Sequence, residues 1–223
     1  MGSQIMPGSL KKPDRASPFP SPEDMNTHRL RIRRARLIGL ALALICVSAG
    51  AAQIDMPTGG KERLAMSLTV TSASFNHDGM IPARHTCDGQ DGSPPLSWTG
   101  VPAGTKSLVL IVDDPDAPDP AAPKMTWVHW VLYNIPPAAS GLPEGIVANN
   151  LPAGTLPGVN NWNRTGYGGP CPPIGRHRYF HRLYALSVLL PDLKNPTKAA
   201  LEKAMQGHVL AHAELVGLYQ RRR

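Results

Sequence analysis

Three polar islands stand at the ends of apolar runs and carry the side chains with which this sequence could do chemistry. The first is VDDPDAPDP, which places Asp113, Asp114, Asp116 and Asp119 directly after the apolar run SLVLIV. Pro115 and Pro118 restrict the backbone and so hold side-chain directions. Four carboxylates among prolines read as surface, either a solvated acidic turn or a ligand-facing one. Asp-x-Asp spacing suits a hard divalent cation, but such a site wants six or more oxygens and usually a glycine to fold its loop. Those are not evident, so neither a metal nor another cofactor is expected. The second island is His129 in TWVHWVLYNIP. A histidine in so apolar a strand needs partners for its ring nitrogens, and a carboxylate of the first island would serve. The third is GYGGPCPPIGRHRYF, Gly166 to Phe180. Its glycines and prolines can turn successive N–H groups inward into a nest that holds an anion. Beyond them His177 and Tyr179 share one face of a strand while Arg178 takes the other.

These islands need a framework of strand ends. From Ser67 onward, short runs rich in β-branched residues alternate with Gly/Pro/Asp clusters: LTVTSASF, PLSWTGV, SLVLIVDD, WVHWVLYNI and HRYFHRLYALSVLL. That spacing predicts a mainly β domain, an antiparallel β-sandwich of two sheets with one or two peripheral helices. A helix is expected over PTKAALEKAMQGHVLAHA, with Thr197 as its cap and Gly207 as a point where it could break. AELVGLYQ closes the domain as a strand.

The net charge of +7 invites a nucleic-acid reading, but the charge is unevenly placed. Residues 1–65 hold ten Lys+Arg against five Asp+Glu, and residues 66–223 hold thirteen against eleven. A nucleic-acid binder carries its charge on the folded surface, so that class of partner is set aside. The basic segment is instead the start of a leader. Residues 1–24 are polar and proline-rich and read as disordered or mis-started. Residues 25–52 have the parts of an export signal: five arginines from Arg29 to Arg36, an apolar run from Leu37 to Val47, and Ala49-Gly50-Ala51 for cleavage. Residues 53–65 are a linker and 66–223 the domain. A real leader implies a periplasmic or extracellular protein, or an uncleaved membrane anchor; a start at Met66 implies a cytoplasmic one. Cys87 and Cys171, the cysteines after the leader, permit one disulfide or two thiols.

Together and in this order, the islands DDPDAP, WVHWVLYNIP and GPCPPIGRHRYFHRLYAL resemble the phosphatidylethanolamine-binding protein family, in the bacterial branch described as Raf kinase inhibitor-like. The resemblance covers about residues 66–220. It implies two antiparallel sheets with a helix and a small anion pocket at the end of the sandwich. By motif match the pocket is lined by Asp114, Asp116, His129, the Pro172-Pro173 segment with Gly175, His177 and Tyr179, and the Ala117–Pro118 bond is cis. Asp114 would orient His129 or His177, and loop amides would complete the cage. The implied function is a non-enzymatic binding and regulatory module for phosphate, phosphoethanolamine-type headgroups or other phosphorylated ligands. A kinase or protease partner and pairing into a homodimer through Trp98, Trp127 and Trp162 belong to the same expectation. Two alternatives stand beside it: a phosphoester hydrolase using the His/Asp pocket, which would need Cys171 as a thiolate nucleophile, and an interaction protein with a vestigial pocket. Eukaryotic members continue into a helix whose tyrosine borders the pocket, whereas Tyr219 here belongs to the last strand.

Overall fold

The computed structural model describes residues 67–222, and the leader and linker readings lie outside them. Nine strands and one helix follow in chain order: β1 Thr69–Thr71, β2 Gly79–Met80, β3 Leu96–Thr99, β4 Ser107–Ala117, β5 Met125–Ile135, β6 Gly141–Leu142, β7 Leu156–Pro157, β8 His177–Leu186, α1 Lys198–Met205 and β9 Val209–Tyr219. They form a three-stranded sheet, β1-β3-β6, and a six-stranded sheet, β2-β9-β8-β4-β5-β7. Every pairing is antiparallel except β2 with β9. This is the expected two-sheet sandwich with a peripheral helix.

The run SLVLIV is apolar without alternation because β4, in the interior of the large sheet, is covered on both faces. Leu108, Leu110 and Val112 join Trp98, Trp130 and Leu183 in the core between the sheets. Val109 and Ile111 pack on the other face with Leu201 and Met205 of α1. Each such aliphatic side chain gains about 1.5–3 kcal/mol from burial. Trp98 therefore belongs to the core, with its indole N–H donating to the Ala139 carbonyl at 2.6 Å, and offers no surface for pairing two copies.

The alternation of β4 continues into its acidic end, where the structure corrects the surface reading. Asp113, Asp114 and Asp116 are all buried. Asp113 follows Val109 and Ile111 onto the helix side, where its carboxylate meets the Arg182 guanidinium of β8 and lies 2.8 Å from Lys198 Nζ at the start of α1. Arg182 also reaches Glu214 of β9 at 2.9 Å and lies over the Phe180 ring at 4.4 Å. Burial of these carboxylates is tolerated because cationic partners stand on the neighbouring elements.

The helix is shorter than expected. The Thr197 hydroxyl accepts from Ala200 N–H as the cap, but α1 ends at Met205 and Gly207, at φ +77°, turns the chain into β9. His208-Val-Leu-Ala-His-Ala is thus mostly strand. Pairing along β8 from His177↔Tyr219 to Leu186↔Val209 is the interaction that overrides the helical periodicity of that stretch.

Asp113→Ala leaves Arg182 and Lys198 facing a cavity without their shared counter-charge. Unfolding by urea should show a loss of about 3 kcal/mol, against less than about 1 kcal/mol for Glu144→Ala, whose partner Arg84 is half exposed.

Candidate functional site

At the end of the sandwich, where β4, β5 and β8 bring their polar ends together, lies a cavity of about 330 Å³. Asp114, His129, Pro172, Pro173, His177 and Tyr179 line it. Asp116 and Gly175, expected in the same wall, stand elsewhere. Asp116 takes a bidentate pair from Arg178, with Nε to Oδ2 at 2.9 Å and Nη2 to Oδ1 at 2.7 Å, and accepts the Arg178 backbone N–H. That guanidinium holds the Asp116 carboxyl below the ordinary range. Gly175, at φ +74°, packs against Pro120 and borders a separate depression with Gln220 and Arg221. The Ala117–Pro118 bond is cis as expected, and both residues line the cavity.

The polar floor has a definite wiring. His129, on β5, donates from Nδ1 to the Gly168 carbonyl at 2.7 Å, which leaves Nε2 as the lone-pair nitrogen. Its ring meets Trp162 and Tyr179 edge-on, at centroid distances of 5.2 Å each. Burial lowers its pKa to about 4, so the imidazole is neutral at pH 7. His177, two residues before Tyr179 on β8, uses both nitrogens within the protein. Nε2 donates to the Ile174 carbonyl at 2.9 Å, and Nδ1 lies 2.7 Å from Asp114 Oδ2. The partner of Asp114 is thus His177, not His129. Asp114 Oδ1 accepts the Asp116 N–H at 2.8 Å. Burial pushes the Asp114 carboxyl up, against the hydrogen bonds from His177 and Asp116. Since Nε2 is fixed as a donor, Asp114 and His177 share one proton across the Nδ1–Oδ2 contact.

Tyr179 completes the floor. The residue is 1% exposed, and its hydroxyl has no partner among the described residues. A buried hydroxyl without a partner costs about 1–3 kcal/mol, and burial also keeps it protonated.

Two amides of the glycine-rich loop in which a nest was expected are used by the protein itself. Gly168 N–H donates to the His129 carbonyl at 3.1 Å, and Gly169 N–H to Asp91 Oδ1 at 2.6 Å. A Cβ on Gly168 would stand 2.5 Å from the Trp162 ring, and one on Gly169 would stand 2.5 Å from both Asp91 Oδ1 and the His85 carbonyl. These glycines permit close approach, and their amides bond the protein. Cys171 is joined to Cys87 by a disulfide, with Cα atoms 5.4 Å apart, so it holds the loop to the segment after His85 and supplies no thiolate. Trp127 and Trp162 wall the cavity as well. The period of β5 places Trp127 on the face of His129, whereas Trp162 comes from an irregular loop that no periodicity marks. Among the described residues no group of three or more His, Cys, Asp or Glu could hold a metal ion.

The fold is thus a two-sheet sandwich with a small aromatic-walled cavity at the ends of its central strands. The phosphatidylethanolamine-binding protein family model matches residues 71–220, and the chain belongs to that family. It is 50% identical to a UPF0098 protein of Methanothermobacter thermautotrophicus over 155 residues, which are 69% of this chain and 99% of the relative. It is 42% identical to a UPF0098 protein of Chlamydia muridarum, over 69% of this chain and 99% of that one. Among solved structures it resembles a phosphatidylethanolamine-binding protein homolog from Chlamydia trachomatis, at 42% identity and TM-score 0.65, covering 70% of this chain and 99% of the other. It also resembles E. coli YbcL, at 30% identity and TM-score 0.64, covering 70% and 100%.

His129 and the core residue His181 both have their pKa lowered to about 4 by burial, from an ordinary 6.5. The unfolded chain then binds more protons than the folded one between those values, so stability is full above pH 6.5 and falls as pH drops towards 4. The slope is about 1.4 kcal/mol per pH unit for each histidine. Asp114, raised instead, acts in the opposite sense, so the effect is best read as a difference. Urea titrations at pH 7.0 and 5.0 should show His181→Leu losing less stability on acidification than the parent, by about one proton's slope.

Proposed function

We propose that the cavity receives a small anionic group, phosphate or the phosphate of a phosphoethanolamine-type headgroup, and that the chain acts by binding it. The observation that carries the reading is the buried Tyr179 hydroxyl, without a partner among the described residues, on a ring that meets the His129 ring edge-on in the wall of the same cavity. A ligand oxygen would accept from Tyr179, and His129 would take up a proton to become the second donor. With both nitrogens of His177 engaged, that residue and Asp114 form the support beneath. Walls of Trp127, Trp162 and proline exclude water, which strengthens each charged hydrogen bond. In a zwitterionic headgroup the ammonium would lie against the Trp127 or Trp162 ring, worth about 0.5–2 kcal/mol.

The same face supports the regulatory reading in which a kinase or protease partner docks. Trp162 is 39% exposed at the cavity, and Ile174, next to Pro173, is 50% exposed. The Cys87–Cys171 bond favours an oxidising compartment and so supports export to the periplasm or beyond. Mass spectrometry of the protein recovered from its native host should then find an N-terminus near Ala51 or Ala52 and a mass two hydrogens below the reduced form.

Calorimetric titration tests the pocket. Phosphate and O-phosphoethanolamine should each bind at one site. His129→Ala and Tyr179→Phe should each weaken binding about 10-fold or more, the loss expected for a hydrogen bond to a charged group. Because His129 must gain a proton, affinity for sulfate, whose own charge is constant, should rise as pH falls from 7 to 5. Absence of heat with the folded protein would leave the fold as a scaffold for protein contacts. Turnover of a phosphoester that disappears in His129→Ala would replace binding with hydrolysis.

A further inference from the structure

A second cavity, of about 320 Å³, shares no residue with the His129 site. Three loops form it with the edge of the large sheet: residues 91–93, residues 145–148 and residues 165–167. Its volume falls at the small end of the range, ~300–1,000 Å³, in which small-molecule sites occur. Trp130, Leu132, Ile146, Leu151, Pro157 and Tyr167 supply an apolar wall. Trp130 and Tyr167 meet edge-on at 5.6 Å, which fixes the aromatic part of that wall.

The polar groups of the wall are unequal. The Tyr167 hydroxyl donates to the His85 carbonyl at 2.8 Å. Asp91 Oδ1 accepts the Gly169 N–H at 2.6 Å, and Oδ2 lies 3.8 Å from Arg164 Nη2. Ser93 differs from both. It lines the cavity, is 2% exposed, and its hydroxyl has no partner among the described residues. Among the described residues no Lys or Arg lines the cavity, so an anion there meets the Asp91 carboxylate. The carboxylate is itself engaged by Gly169 and Arg164, so it gives little selection for a cation.

We propose that this cavity is a second ligand site, for a small uncharged amphiphile whose apolar body packs on Trp130, Leu132 and Tyr167 and whose one hydroxyl or carbonyl oxygen accepts from Ser93. The proposal does not depend on the anion reading of the His129 pocket.

The test is titration of the full chain with 1-octanol, octanoate and octylamine, in the parent, Ser93→Ala and Ala148→Phe. Ala148 is an exposed residue of the cavity rim, and the phenyl ring fills the space without entering the core. Octanol should bind at one site, about 5-fold more weakly in Ser93→Ala, the effect of one neutral hydrogen bond. Ala148→Phe should abolish binding, and octanoate should bind at least about 10-fold more weakly than octanol. If Ala148→Phe does not fold, Leu151→Trp fills the cavity from another part of its wall. Phosphate titration should be unchanged in Ser93→Ala and Ala148→Phe, which separates failure here from failure of the His129 site. Lack of octanol binding by the parent, equal affinity for octanol and octanoate, tighter binding of octylamine, or unchanged octanol affinity in Ser93→Ala or in the filled variant would each overturn the proposal.

Discussion

Three buried aspartates at the end of one central strand set the terms for the rest of the domain. A carboxylate removed from water must find a cation or a set of donors, or remain protonated. Asp113, Asp114 and Asp116 of β4 find theirs in Arg182, His177 and Arg178, and all three partners come from β8. The stretch Arg-His-Arg-Tyr-Phe-His-Arg is thus largely an answer to Asp-Asp-Pro-Asp. Because β4 alternates, Asp113 is turned to the helix side and Asp114 to the cavity side. One strand therefore anchors α1 through Lys198 and supports the His129 cavity through His177.

This arrangement explains which groups remain for a ligand. His177, Asp114 and Asp116 are satisfied by the protein, so their contribution is rigidity. His129 and Tyr179 are held in position by edge-on ring contacts with each other and, for His129, with Trp162, and the Tyr179 hydroxyl has no partner among the described residues. A site organised this way places few donors accurately among apolar walls, the composition expected of a small-molecule pocket. Its support lies in β4 and β8, and the Cys87–Cys171 bond ties down the loop that carries Pro172 and Pro173. In the chain-entropy model a link across 84 residues is worth about 4.6 kcal/mol through the unfolded state.

The sandwich was legible in the sequence because its strands are separated by strong turn signals and its central strand is uniformly apolar. Six of the eight site residues that the family resemblance implies share one cavity wall; alternation along β8 accounts for His177 and Tyr179 standing on one face, whereas Pro172 and Pro173 come from the loop before that strand. The acidic turn was misread for a physical reason. Charge alone suggests solvent, and the matching cations stand more than sixty residues away, where only the β4–β8 register reveals them. Glycine marks close approach as readily as an anion nest, and the contacts that require it at Gly168 and Gly169, Trp162 and Asp91, come from other loops. The strand that begins at Val209 has a helix's periodicity, and only its pairing with β8 decides against the helix.

The loop from Thr165 to Gly169 has a position that none of its residues shows alone. Thr165, Gly166 and Tyr167 border the second cavity, while the next carbonyl, of Gly168, fixes the tautomer of His129 in the first. The amides of Gly168 and Gly169 are held by β5 and by Asp91, and Tyr167 is fastened to the His85 carbonyl. The loop therefore borders the second cavity and holds His129 of the first, restrained from both sides. Its glycines allow the approach of Trp162 on one side and of the Asp91 loop on the other, so a side chain at either position would disturb the ring that walls the first cavity or the carboxylate that borders the second.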